Sequence, residues 1–348
     1  MRFETSPAPQ LAPPITVALT MRRVLYALIP ATLVYTWYFG WGLLINMTLA
    51  AGIALACEAA MLRLRKKPQK PFLLDFSAVV TAVLFAFTLP PLTPWWITAI
   101  GISFAIVFAK HLYGGLGYNP FNPAMAGYVV LLISFPVEMT TWIAPNVPEL
   151  DLPRLGLLET LAVVASGQLP AGLTWDAVTM ATPLDDVKVQ LAQMQTMAEI
   201  QSQAIYGDFG GKGWEWVSNW IGLGGLWLLY KGVIRWHIPL SMLASLFIVS
   251  LFIYLLDPGS HASPVFHLFT GATVLGAFFI ATDPVSAATS VKGRLIYGAG
   301  IGILTFVIRN WSDYPDGVAF AVLLMNMAVP AIDYFTKPRV FGHSNRSA

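Results

Sequence analysis

The residue with the clearest chemical use is Thr182. It ends the run Asp176-Ala177-Val178-Thr179-Met180-Ala181-Thr182 and is followed by Pro183-Leu184. A threonine hydroxyl can form an ester with a phosphate if it is accessible and its neighbours are small enough for a phosphate to approach. Ala181 meets the second condition. The plain alternative is a surface turn, which the Thr, Asp and Pro content favours. A second candidate is Thr273, in Phe269-Thr270-Gly271-Ala272-Thr273, with smaller neighbours still; there His267 stands where the first run has its acid. The histidines His111, His237, His261, His267 and His343 are dispersed, and no two share a metal-ligand spacing. Cys57 is the only cysteine, which excludes an internal disulfide and a cysteine-based metal centre. Neither a metal site nor a catalytic acid–base set is expected.

The elements that must position these groups are membrane helices. Of the 348 residues, 56% are hydrophobic and 11% charged, against roughly 25% charged in soluble domains. Mean hydropathy is +0.65. The net charge of +2 gives no broad basic face for nucleic acid. Residues 1–20 are rich in proline and polar groups without an apolar signal core, so a cleaved leader is not expected. Arg22-Arg23 read as a positive flank orienting the first helix rather than as a twin-arginine export signal.

Ten apolar segments follow: 24–39, 43–62, 76–89, 95–109 and 123–135, then 216–230, 238–256, 266–282, 295–308 and 318–334. A full crossing takes about 20 apolar residues. The shorter segments are therefore candidates for broken or re-entrant helices buried in protein. With the N-terminus inside, alternation leaves four basic residues outside, Arg154, Lys188, Lys212 and Arg309, out of 20. This obeys the positive-inside rule. Lys110 falls in a cytoplasmic loop on this scheme. The expected architecture is all-α and polytopic, with about ten transmembrane helices in two inverted five-helix halves. Its parts are a cytoplasmic N-terminus (1–23), helices 1–5 (24–135), a long external loop (136–215), helices 6–10 (216–335) and a cytoplasmic C-terminus (336–348). Ala78, Val80, Phe85, Thr88 and Pro90 match Ala272, Val274, Phe279, Thr282 and Pro284 at a constant offset, as related halves would. Inverted halves place transporter sites near the midplane, between the repeats.

That topology separates the two threonines. Thr182 lies in the external loop, whereas Thr273 lies inside a span. Residues 136–213 carry nine acidic and three basic residues and hold no phosphate-binding glycine loop and no nucleophile triad. Asn119-Pro120-Phe121-Asn122-Pro123-Ala124 enters the fifth span, as an ordinary proline-rich helix start or a half-helix facing an ion or phosphate. Asp283, ending the eighth span, is expected to cap a turn more than to line an ion path. Glu58 is expected to snorkel or to pair with a basic residue of the 63–70 loop. Trp95, Trp96, Trp216 and Trp220 fit interfacial belts.

The run ending at Thr182 resembles the flavinylation motif Asp-x-x-Ser/Thr-x-Ala-Thr, with Met180 where other bearers carry glycine. Further stretches carry a wider likeness. They are His111-Leu112-Tyr113-Gly114-Gly115-Leu116-Gly117, Asn119 to Met125, Ile234-Arg235-Trp236-His237-Ile238-Pro239, Gly276 to Ala287, Pro315-Asp316-Gly317-Val318-Ala319-Phe320 and Asp333-Tyr334. In these the chain resembles the D-type members of the Rnf ion-translocating oxidoreductase (electron transport) complexes, which are related to the B-type member of the sodium-translocating NADH:quinone oxidoreductase. The resemblance implies a bacterial inner-membrane component of a translocase complex that exchanges electrons between ferredoxin and NAD and moves sodium ions or protons. It implies covalent FMN, a phosphothreonyl ester, on Thr182, attached by a flavin transferase. A second, non-covalent flavin is implied by the quinone-reducing relative. The expected partners are the other members of the complex, the flavin transferase and the lipid bilayer, and the reaction belongs to the whole complex. A stand-alone ion or small-solute channel with the same inverted halves is the competing expectation.

Overall fold

A computed structural model describes residues 16–150, 152–314 and 316–337. Most of the two assigned tails, with Arg2, Arg339, Arg346 and His343, lies outside the described residues, as does Pro315.

Among the described residues the chain is helical and contains no strand beyond two isolated bridges. The first half comprises α1 (Val17–Phe39), α2 (Gly42–Leu64), α3 (Gln69–Leu73), α4 (Ser77–Ala86), α5 (Trp95–Phe104, extended by a π-helical stretch Ala105–Leu112) and α6 (Pro123–Ser134). The polar segment forms short helices: α7 (Pro136–Thr140), α8 (Leu157–Ser166), α9 (Trp175–Val178), α10 (Pro183–Ala192) and α11 (Met197–Gln201). Then come α12 (Trp214–Tyr230), α13 (His237–Leu256), α14 (Pro264–Phe269), α15 (Thr273–Leu275, running into a π turn Gly276–Ile280), α16 (Val291–Trp311) and α17 (Val318–Phe335).

Seven runs are long and apolar enough to cross a bilayer: α1, α2, Gln69–Ala86, α5 with its π stretch, α13, α16 and α17. The other three expected spans differ for local reasons. α6 has 12 residues, about 18 Å at 1.5 Å per residue, which is short of a roughly 30 Å core. It begins where Asn122 caps it, accepting from the Met125 amide at 3.2 Å, with Pro123 in the first position. α12 has 17 residues. The segment expected at 266–282 is broken: Gly271, at φ +62°, turns the chain between α14 and α15.

Close helix approach depends on small side chains, as is usual in membranes. Gly298 and Gly302 of α16 face Ser241 and Ser245 of α13, and Ser245 donates to the Ala299 carbonyl at 3.1 Å. A Cβ on Gly302 would strike the Met242 carbonyl oxygen, and one on Gly298 would lie 2.7 Å from that of Ile238.

Lys110 and Glu58 depart from expectation. The π-helical stretch carries α5 on to Leu112, so Lys110 is in a helix and only 2% exposed rather than in a loop. An added π turn re-aims the side chains that follow it. Lys110 Nζ donates to both Glu58 carboxylate oxygens, at 2.7 and 2.8 Å, and to Ser77 Oγ at 2.8 Å. Glu58 therefore pairs across helices and not with the 63–70 loop. Of that loop only Arg65 reaches the cluster, at 3.4 Å from His111 Nδ1.

Two measurements check this packing. Gly302→Ala should lower stability by about 1–3 kcal/mol through overpacking. Gly52→Ala, where nothing lies within 4 Å of the new methyl, should cause no loss; thermal unfolding in detergent reads both. Glu58→Gln or Lys110→Met alone should cost about 3–5 kcal/mol, by stranding one buried charge. Combining Glu58→Met with Lys110→Leu is expected to recover most of that, and single variants as stable as the parent would contradict the pairing.

Candidate functional site

Thr182 sits at the start of α10, and its position is fixed from both sides. Upstream, Val178 to Met180 run beside Trp142 to Ala144: the Ala144 amide donates to the Val178 carbonyl at 3.2 Å and the Met180 amide to the Trp142 carbonyl at 2.9 Å. Downstream, Pro183 occupies the first helical position, and Gly211 lies so close to its ring that a Cβ there would collide with it. Lys188 donates to the carbonyls of Ser312 and Tyr314, and Tyr206 Oη donates to Asp186 Oδ2 at 2.6 Å. Leu184 and Val187 bury against Ile200, Ile205 and Phe266 in a small apolar cluster separate from the membrane core. α10 is thus a rigid platform although its flanks are irregular.

The Thr182 side chain is half-buried and Ala181 beside it is exposed. Thr182 caps α10, accepting from the Asp185 amide at 3.3 Å. Its own proton goes to Asp185 Oδ2 at 2.8 Å. Burial lifts the Asp185 carboxyl above its ordinary range, opposed by the Thr182 hydrogen bond and the nearby Lys188 charge.

Thr182, Pro183 and Asp185 line a cavity that runs between α1, α6, α12 and the broken α14–α15 segment. Its walls include Tyr35, Phe87, Tyr128, Trp142 and Trp214. Asp316 adds a second carboxylate. The lining is mostly apolar and aromatic with a few polar groups, the composition usual for small-molecule sites.

Beneath the opening, Arg309 holds the helix break together. It is 5% exposed. Its Nη1 donates to the His267 carbonyl at 2.7 Å, its Nη2 to the Thr273 hydroxyl at 2.8 Å, and its Nε to Asp316 Oδ1 at 3.1 Å. Asp316 Oδ2 accepts from the Ala272 amide at 2.7 Å. The expected external-loop position of Arg309 is corrected: it is the interior clamp of α14–α15, because the break leaves carbonyls that need donors. Thr273 is fully buried, and its hydroxyl also donates to the His267 carbonyl at 2.9 Å. That hydroxyl is enclosed in the bundle, whereas Thr182 is half-buried beside an exposed Ala181.

Asn122 and Asp283 have ordinary partners. Asn122 also donates to the Ile280 carbonyl at 3.2 Å, and its amide donates to Asn326 at 3.0 Å. Asp283 caps a turn, accepting from the Ser286 hydroxyl at 2.8 Å. Among the described residues no group of three or more His, Cys, Asp or Glu is placed to hold a metal. Sequence reasoning missed Asp185, Asp316 and the aromatic walls. For Asp185 a signal existed, since a threonine followed three positions later by an acid is a helix-start signature. The walls come from distant segments and carry no local signal.

Comparison with known proteins covers nearly the whole chain. Residues 4–342 match the NQR2, RnfD, RnfE family. The chain is 52% identical over 350 residues to the D subunit of the ion-translocating oxidoreductase complex of Vibrio cholerae, covering 99% of this chain and 100% of the relative. It is 54% identical over 330 residues to the protein of the same name from Aliivibrio salmonicida, covering 93% of each. With that of Aeromonas salmonicida it shares 50% over 331 residues, 92% of this chain and 93% of the relative. The rigid helix start at Thr182, the clamped break beneath it and the cavity between them are thus features of a chain that belongs to the NQR2, RnfD, RnfE family.

Proposed function

We propose that this chain is the D-type membrane component of an ion-translocating oxidoreductase complex and carries FMN esterified to Thr182. The whole complex would transfer electrons between ferredoxin and NAD and couple that transfer to movement of sodium ions or protons. The observation that carries the reading is the Thr182 side chain, half-buried at a rigid helix start on the rim of an aromatic cavity. The flavin ring, when bound, supplies one- and two-electron transfer. Thr182 would hold it through its side-chain oxygen, and the amide end of α10 favours the phosphate's negative charge. Tyr35, Phe87 and Trp214 would bound the ring and exclude water.

We further infer ten crossings in two inverted halves. The packing supports this. α2 packs on α4 and α5, and α5 on α6; likewise α13 packs on α14 and α16, and α16 on α17. Across the halves α1 meets α12 and α6 meets α17, the equivalent partners of such a repeat. Both termini would be cytoplasmic and the 136–215 loop periplasmic, in a bacterial inner membrane. A second cavity lies against the Lys110 end of α5, lined by Ser77, Asn119, Asn122 and Phe278. The Asn119 Oδ1 is buried without a partner. This cavity is our candidate place for a second, non-covalent flavin, whose ring N–H that oxygen could accept.

Two experiments test these assignments. After co-expression with a flavin transferase, the denatured protein should show a flavin-fluorescent gel band that Thr182→Val abolishes; no band from the parent chain would refute covalent attachment. In a Cys57→Ser background, an impermeant maleimide added to intact cells should label Gln168→Cys once the outer membrane is permeabilised. Lys67→Cys should be labelled after lysis alone, and the reverse pattern would invert the topology.

A further inference from the structure

We propose that Asp185 is the base that takes the hydroxyl proton of Thr182 when that oxygen is esterified. The inference rests on the reading of Thr182 as the flavin-bearing residue, and adds to it the group that makes the oxygen nucleophilic. The geometry is specific. Thr182 Oγ1 donates to Asp185 Oδ2 at 2.8 Å while accepting from the Asp185 amide at 3.3 Å. The proton therefore has a defined acceptor, and one lone pair of the oxygen stays uncommitted. Ala181 next to it is small and exposed, and Thr182 itself is only half-buried. The pair is held in place because α10 is anchored through Lys188, Asp186 and the apolar cluster around Ile200.

The surroundings suit a carboxylate that must gain a proton and keep it. Lys188 and Asp186 from its own helix, Asp316 from the α16–α17 connection and Tyr128 from α6 are the titratable groups that act on Asp185. Burial is the main cause lifting the Asp185 carboxyl, and the two further carboxylates add to it against the one cation and the Thr182 hydrogen bond.

The reaction balances with FAD, presented by a flavin transferase, as co-reactant. The Thr182 oxygen forms a bond to the phosphorus on the flavin side of the pyrophosphate. The bond from that phosphorus to the bridging oxygen breaks, and AMP leaves with its electron pair. The threonine proton passes to Asp185, and nothing is oxidised or reduced. Afterwards a neutral carboxyl lies beside the phosphodiester anion and can donate to it, where a carboxylate would repel it. Simple capping is the competing account. It needs only the amide-to-hydroxyl bond, which Asp185→Asn would preserve.

The test uses full-length protein made without flavin transferase, then mixed in detergent with purified transferase and FAD. AMP release and the mass gained by the chain give the initial rate across pH. The parent rate should fall toward acid as Asp185 becomes protonated. Asp185→Asn should react at least about 100-fold more slowly, the scale of a lost general base, and its rate should lose the acid limb. Asp185→Glu should recover part of the rate together with that limb. Parent-like rate and pH profile in Asp185→Asn would overturn the proposal and leave the Thr182 reading standing. A parent chain that gains no FMN, or a Thr182→Val chain that still gains it, would overturn the Thr182 reading and the proposal with it.

Discussion

The pairing of Arg309 with Asp316 is the interaction on which the Thr182 end of this protein depends. A helix that stops inside an apolar layer leaves carbonyls and amides without partners, at a cost of several kcal/mol each. At the α14–α15 break, Arg309 supplies donors to the His267 and Thr270 carbonyls while Asp316 accepts the Ala272 amide. The two side chains also neutralise each other. Without them the chain could not turn at Gly271. A Cβ at Gly271 would lie 2.5 Å from Asp316 Oδ2 and 2.7 Å from Leu184 Cδ1. The break is therefore in contact with α10, and the clamp that satisfies the membrane segment also seats the helix that begins at Thr182.

A second buried ion pair, Lys110 with Glu58, holds the opposite end of the bundle. Such pairs add little net stability over apolar residues, yet breaking one is costly. Their effect is to fix register between helices that small residues allow to approach closely. The two cavities follow from the same arrangement. One opens by the Arg309 clamp beneath Thr182 and the other against Lys110, and each lies where a short or broken helix fails to fill the space between its neighbours.

Under the proposed esterification Thr182 would join a structural and a chemical role in one side chain. As a helix cap its oxygen accepts an amide, and as the proposed nucleophile it would offer its other lone pair while Asp185 holds the proton. Thr273 differs in access, since it is fully buried where its oxygen donates to a carbonyl and accepts from Arg309 inside the bundle.

The all-helical, polytopic character is legible in the sequence, because apolar runs and basic flanks are local in the chain. So is the greater exposure of Thr182 than of Thr273, because burial follows from which runs are apolar. Capping by Asn122 and by Asp283 can be read for the same reason, each being a contact within three residues. Partners across helices cannot. Lys110 reads as a loop residue because hydropathy ends a span at a charge, and only a partner 52 residues away allows the helix to continue. Arg309 likewise reads as external, since nothing in its own segment shows the broken helix that needs its donors. The cavity under Thr182 and its aromatic walls belong to the tertiary structure alone, because they arise where segments far apart in the chain are brought together.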